Sequence, residues 1–312
     1  MATTTDKQDP AEHRPFAVRH IVHFWSTLKR SGQEFFKGDP LTEASSLAFT
    51  TIFALPGVLI LALMVASTFY DAAAVREALY GQVGSLIGAS TANDLAGIVQ
   101  NADKKKTGIF SQVLGLVALA VSASALFASL QNSLNRIWKV KQKPGKAIVR
   151  YLLTRLTSLA LISSFGFLLL VSLVVDAAVV AIGERLGAWL PAGTMLVGVA
   201  GLFLSFAVVT TVFAMVFKFL PDMRIAWRTV WVGSLFTALL FSGGKYLIGL
   251  YIAKTGAGDA YGAGGALIII MLWVYYAAIL TLFGAQFTYV TALQRGEHMQ
   301  PLPHAVKTTP SN

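Results

Sequence analysis

Two long apolar runs joined by a short polar turn dominate the last third of the chain. Lys218 to Arg295 begins KFLPDMRIAWR, continues as a hydrophobic run from Thr229 to Ile252, and turns through KTGAGDAYGAGG from Lys254 to Gly265. A second hydrophobic run then ends at Arg295. Each run has about 24–27 residues, or roughly 36–40 Å as α-helix. The hydrocarbon core of a bilayer is about 30 Å thick. A helix satisfies its own backbone hydrogen bonds, so runs of this length can live in lipid. The pair predicts a hairpin that crosses a membrane and returns.

The rest of the chain repeats that unit. Further spans are expected near 45–70, 108–130, 156–182 and 194–217, which makes six. Only 13% of the 312 residues are charged, against about 25% in a soluble domain. The expected fold is therefore all-α, a polytopic membrane helical bundle of six transmembrane helices with an N-terminal amphipathic helix and a helical outer loop. Residues 1–40 read as a cytoplasmic tail and amphipathic helix, 41–295 as the membrane domain, and 296–312 as a disordered cytoplasmic tail. From Phe16 to Lys37 the apolar residues mostly recur at helical spacing, with Arg19, His23, Lys29 and Arg30 opposite. Such a helix suits the headgroup region or packing against the protein's own cytoplasmic loops. In the 71–107 loop, Val75, Leu79, Val83 and Leu86 suggest a short surface helix. Pro56, inside the first span, removes a backbone donor and can kink it. Ala120, Ser124 and Ala128, and Gly201 with Ser205, form small-residue rows that admit a neighbouring helix.

Charge sets the expected orientation. Eighteen of the 25 Lys and Arg residues lie in 1–40, 131–155, 218–228 and 295–312. Alternate connections are thus basic, and the positive-inside rule puts both termini in the cytoplasm. The formal net charge of +10 is then explained by insertion and by anionic lipid headgroups, and nucleic acid is not expected as a partner. The cluster Lys104 to Lys106 departs from this rule. Cysteine is absent, which excludes disulfides and thiolate metal sites.

The sequence offers little catalytic chemistry. All five histidines, His13, His20, His23, His298 and His304, lie in the tails; His20 and His23 are three apart on one helix, but no carboxylate motif completes a metal site, and no GxSxG, HExxH or Walker A pattern is present. No catalytic residue, cofactor or metal is expected. Ionisable residues inside spans are costly and mark pathways. Lys245 falls within the fifth span and Asp176 in the third. Lys245 is expected to face a polar cavity, pairing with Asp176 or with an anionic substrate, unless its long stem snorkels to the interface. In the sixth span Tyr275, Ile279, Leu282 and Gln286 share one face. Gln286 bonds another helix or lines a path, and at least one of Tyr275 and Tyr276 should face the interior, because a buried phenol needs a partner.

Several stretches together resemble the YihY/BrkB family of bacterial inner-membrane proteins. EASSLAFTTIFALPGVLI, with Pro56, is similar to the family's first span. SLQNSLNRIWKV carries its Leu-Asn-x-Ile-Trp motif at Leu134, Asn135, Ile137 and Trp138. The stretch from Phe219 to Ile252 matches at Leu220, Pro221, Trp227, Arg228, Gly244 and Lys245. The last stretch matches at Tyr261, Gly262, Ala263, Trp273, Tyr275, Tyr276, Gly284 and Ala285. Where the family usually has Glu after Gly-Ala, this chain has Gln286, so an acidic role at that position cannot be carried over. The resemblance implies six spans, an inner-membrane location and an exporter or envelope-related transport role. Some members were once labelled ribonuclease BN, and this chain has no residues suited to that chemistry.

Three functions compete. The leading one is a transporter, exporter or flippase-like protein for an anionic or lipid-like envelope substrate. The second is a non-transporting envelope scaffold, and the weakest is a tRNA-processing ribonuclease. The expected partners are the bilayer, its anionic headgroups and an unidentified small-molecule or lipid substrate. Homo-oligomerisation is left open.

Overall fold

The computed structural model describes residues 16–67, 71–87, 91–93, 96–97, 109–143, 193–255 and 265–308. In chain order the main helices are α1 (Phe16–Lys37), α2 (Pro40–Ala66), α3 (Ala72–Ile87), α4 (Ile109–Ile137), α5 (Gly193–Phe219), α6 (Trp227–Thr255) and α7 (Gly265–Gln294). Four short strands accompany them: β1 (Val140–Gln142), β2 (Met223–Arg224), β3 (Gln300–Pro301) and β4 (Ala305–Lys307). Pro40 opens α2, where its missing N–H costs nothing. The Asp71 carboxylate caps α3, accepting from the Ala73 and Ala74 backbone N–H groups at 3.0 and 3.1 Å. Helix α2 runs through Pro56.

Pro40–Ile60, Gly198–Phe219, Trp227–Ile252 and Gly265–Gln294 are long and apolar enough to cross a membrane. These are four of the six expected spans. The expected second span lies on α4, which has 29 residues. The expected third span, 156–182, lies outside the described residues. The 71–107 loop does contain a helix, α3, whose Val75 and Leu79 pack with Leu59, Leu63 and Ile270.

Helix α7 is the centre of the bundle, touching α1, α2, α3, α4 and α6. Its last turns, Gly284 to Ala292, are buried without a break. The largest core cluster gathers Trp138, Phe217, Val230, Ala285 and Val290 near the ends of α4, α5 and α7. The outward faces of α5 and α6 expose Leu202, Phe203, Leu239, Leu247 and Leu250. Apolar faces of this extent fit a lipid solvent.

Helices α6 and α7 interlock through the same five-residue pattern, Gly233 to Thr237 and Gly284 to Thr288. Each Thr hydroxyl donates to its own helix's Gly carbonyl at 2.7 Å. Each Thr side chain also fills the space over the other helix's glycine. A Cβ at Gly233 would meet Thr288, and one at Gly284 would meet Thr237. Close approach therefore occurs on α6 and α7. Of the small-residue rows named above, Gly201 has open space around it and Ser205 is exposed.

Two expectations change. Residues 296–308, read as a disordered tail, are ordered: β4 pairs antiparallel with β1 and β3 with β2. A tail of thirteen polar-rich residues carries no period that signals this; its partners are supplied by distant loops. Helix α1 also has two faces in use. Phe24 packs against Phe236 and Phe287, and Phe35 against Phe283, so it is docked on α6 and α7. Trp25 and Phe36 point outward, 67% and 72% exposed.

Candidate functional site

The ends of α1, α4, α5 and α7 and the starts of α2 and α6 meet at one end of the bundle, and a single buried carboxylate ties much of it together. Pro221 follows the end of α5, and Asp222 comes next with its side chain 4% exposed. Its Oδ1 accepts from Gln131 Nε2 at 3.0 Å and from His304 Nε2 at 2.9 Å. Its Oδ2 accepts from Asn135 Nδ2 at 2.8 Å and Gln142 Nε2 at 3.0 Å. Asn135 also takes the Asp222 backbone N–H on its Oδ1 at 2.8 Å. Asparagine suits this position because it must donate and accept at once. The Asp222 carbonyl accepts from Leu302 N at 3.0 Å. One carboxylate thus joins α4, β1, the α5–α6 link and the C-terminal segment, with its lone pairs satisfied as a buried charge requires.

Asn135 and Pro221 were singled out from the sequence; Asp222 and His304 were not. The signal was a lone carboxylate between Pro221 and Met223 in an otherwise basic connection. His304 looked like one more tail histidine. Trp138 is buried in the same region, its ring 5.4 Å from that of Tyr289.

Beside this hub a cavity of about 330 Å³ opens between α1, α2, α4 and α7. Glu34, Lys37, Glu43, Arg136, Lys139 and Gln286 line it, with Ile137 and Leu282 on its apolar side. Two ion pairs bracket it, Lys37–Glu34 at 2.9 Å and Arg136–Glu43 at 2.7 Å. The hydrogen bond from Lys37 holds the Glu34 carboxyl below the usual carboxylate range. Lys139 Nζ sits 5.7 Å from the centroid of the Tyr289 ring, a cation–π contact. Gln286 is 6% exposed.

The remaining sequence candidates are dispersed. Lys245 is half-buried, its Nζ 5.3 Å from the Tyr246 ring centroid, and makes no ion pair among the described residues. Asp176 lies outside the described residues, as do Tyr261 and Gly262. Tyr276 faces α6, donating to the Leu240 carbonyl at 3.4 Å and lying against Gly244. Tyr275 packs, partly buried, against the cluster of Phe35, Ala44, Leu47, Ala278 and Leu282. Trp273 is buried between Phe241 and Tyr276. Trp227 is 46% exposed with Lys218 over its ring, and Arg228 is exposed. Among the described candidates, Gln286 alone lines the cavity.

Residues 33–309 match the family described as Virulence factor BrkB. A UPF0761 membrane protein of Verminephrobacter eiseniae is 31% identical over 278 residues, covering 87% of this chain and 64% of the relative. UPF0761 membrane protein RSc1559 of Ralstonia nicotianae is 30% identical over 278 residues, covering 88% and 59%. A third, from Delftia acidovorans, is 29% identical and covers 89% and 65%. The chain therefore spans less than two thirds of the length of these curated relatives. No solved structure matches. With membrane-length apolar helices, an outward lipid-like surface and a match along most of its length, this chain belongs to the Virulence factor BrkB family of membrane proteins.

Proposed function

We propose that this protein is a six-span transporter, exporter or flippase-like protein of the bacterial inner membrane, with both termini cytoplasmic, that moves an anionic or lipid-like envelope substrate. The observation that carries the reading is the cavity at the basic end of the bundle, with the Gln286 amide buried at its wall. A polar side chain inside an apolar helix is costly unless it serves packing or a path. The cavity gives a substrate access at the membrane surface, where anionic headgroups and soluble anions both reach it. The positive-inside bias of the sequence supports a cytoplasmic position for this end. With no nucleotide-binding pattern in the sequence, the driving force in this reading is a gradient, a partner protein or none. The protein catalyses no covalent step in this reading and uses no cofactor, so purified protein should not cleave tRNA with or without divalent metal.

The test compares untargeted lipid and metabolite profiles of a deletion strain and its parent, followed by flux of the altered compound in proteoliposomes. Flux that depends on the protein supports transport. Absence of protein-dependent flux for every altered compound refutes it. That result favours the second reading, an envelope scaffold, for which the interlocked α6–α7 pair and the Asp222 hub speak.

A further inference from the structure

We propose that the cavity beside α7 is a binding site for a phosphate-bearing anion, and that Lys139 and Gln286 are the two groups that hold it. The inference rests on reading that cavity as the substrate's access. It adds the chemical class of the ligand and the residues that recognise it.

Gln286 supplies the first argument. Its side chain is more than nine-tenths buried, lines the cavity, and makes no hydrogen bond with any described residue. Its amide atoms are not among the fully buried polar atoms that lack a partner, so they reach the cavity, and the NH2 group can donate to a ligand that accepts there. Charge supplies the second. Glu34 and Glu43 are taken up by Lys37 and Arg136 at 2.9 and 2.7 Å. Lys139 makes no ion pair among the described residues. Its backbone is held in place all the same: it adopts φ 53°, its N–H donates to Arg136 O at 3.1 Å, and its carbonyl accepts from Thr308 N at 2.8 Å. Six polar side chains therefore leave one positive charge outside any ion pair, with its Nζ over the Tyr289 ring, and one amide donor, both lining the same volume. An acceptor-rich anion answers both, and a phosphate group offers several oxygens to an ammonium and an amide together.

Location supplies the third. The cavity lies where α2 begins and α4 ends, at the edge of the candidate span Pro40–Ile60. That is headgroup depth. Ile137 and Leu282 give it an apolar side, which suits the glycerol and upper acyl chain of a phospholipid. A soluble phosphomonoester would use the same two polar groups without that apolar side.

The experiment uses the full-length protein in phosphatidylcholine nanodiscs. One arm adds phosphatidylglycerol to the nanodisc and measures lipid retained on the released protein by native mass spectrometry. The other titrates glycerol 3-phosphate by calorimetry. Lys139→Gln and Gln286→Leu should each weaken binding roughly tenfold, the scale of one charge-assisted hydrogen bond. Lys139→Arg should bind as wild type, which separates lost charge from lost folding. Arg224→Gln removes an exposed charge elsewhere on the same end and should have no effect. Loss confined to Lys139→Gln and Gln286→Leu in the lipid arm supports a phospholipid ligand. The same pattern in the soluble arm alone supports the phosphate chemistry with a soluble source. Binding in neither arm, or equal losses from Arg224→Gln and Lys139→Gln, overturns the proposal. Flux in proteoliposomes is scored separately. Binding without flux counts against transport, and flux unaffected by Lys139→Gln counts against this site.

Discussion

Replacing Gly284 by alanine puts one methyl group where α6 and α7 touch. Its Cβ would lie 1.9 Å from Thr237 Oγ1, 2.8 Å from Cγ2 and 2.9 Å from Cβ. Unstrained contact between carbon atoms needs about 3.5–4.0 Å, so the gap must open by about 1.5 Å at that point. Thr237 cannot simply turn aside. Its hydroxyl is bonded to Gly233 O at 2.7 Å, and a β-branched residue in a helix has few χ1 options. Separating the helices also loosens the sister contact one turn away, between Gly233 and Thr288. Overpacking of this kind costs about 1–3 kcal/mol, or roughly a five- to 150-fold shift in the unfolding equilibrium. Reversible unfolding in mixed micelles, followed by tryptophan fluorescence, measures it. Thr237→Ala removes the two nearest of the three clashing atoms, so the double variant should recover more than half of the loss, with a coupling of about 1 kcal/mol or more. Wild-type stability in Gly284→Ala, or a double variant no better than Gly284→Ala, would show that the interlock does not limit the helix spacing.

Four further outcomes follow from the same geometry. Asp222→Asn turns one acceptor oxygen toward donors and should cost about 3–5 kcal/mol, with faster proteolysis after Arg295 as the readout. His304→Ala removes one of those donors while the β1–β4 pairing remains, so about 1 kcal/mol and reduced hydrogen-exchange protection of Ala305 to Lys307 are expected. The depressed Glu34 carboxyl stabilises the fold above the ordinary carboxylate range, and that contribution is lost as pH falls through its lower folded value. Glu34→Gln should therefore differ from wild type by a few tenths of a kcal/mol near neutrality and converge with it in acid, measured by unfolding across that range. Lys245→Met should keep its flux in proteoliposomes, because its ammonium leans on the Tyr246 ring rather than into the cavity, whereas Gln286→Leu should lower it.

The helices were legible because their cause is local. A run such as Gly265 to Gln294 is helical and membrane-length whatever it touches, since lipid offers its backbone no other partner. The amphipathic pattern of Phe16 to Lys37 likewise announced α1, and the periodic Val75 and Leu79 announced α3. The site was legible only in part. Gln286 stood out as an amide in an apolar run, and Asn135 and Pro221 as members of a motif. Lys139 looked like one basic residue among many, and nothing near it in sequence tells that Glu34 and Glu43 are spoken for.

Burial depth and partner choice belong to tertiary structure. Asp222 lies far along the chain from Gln131, Asn135 and His304, so its coordination has no trace in local spacing. Residues 297–308 have too little apolar periodicity to order themselves. They are ordered because β1 and β2 present unpaired backbone edges and Asp222 presents an acceptor. Apolar periodicity is a property of neighbours in sequence and fixes which segments enter lipid. Hydrogen-bond complementarity is a property of neighbours in space, and it decides how the ends of those segments are held together.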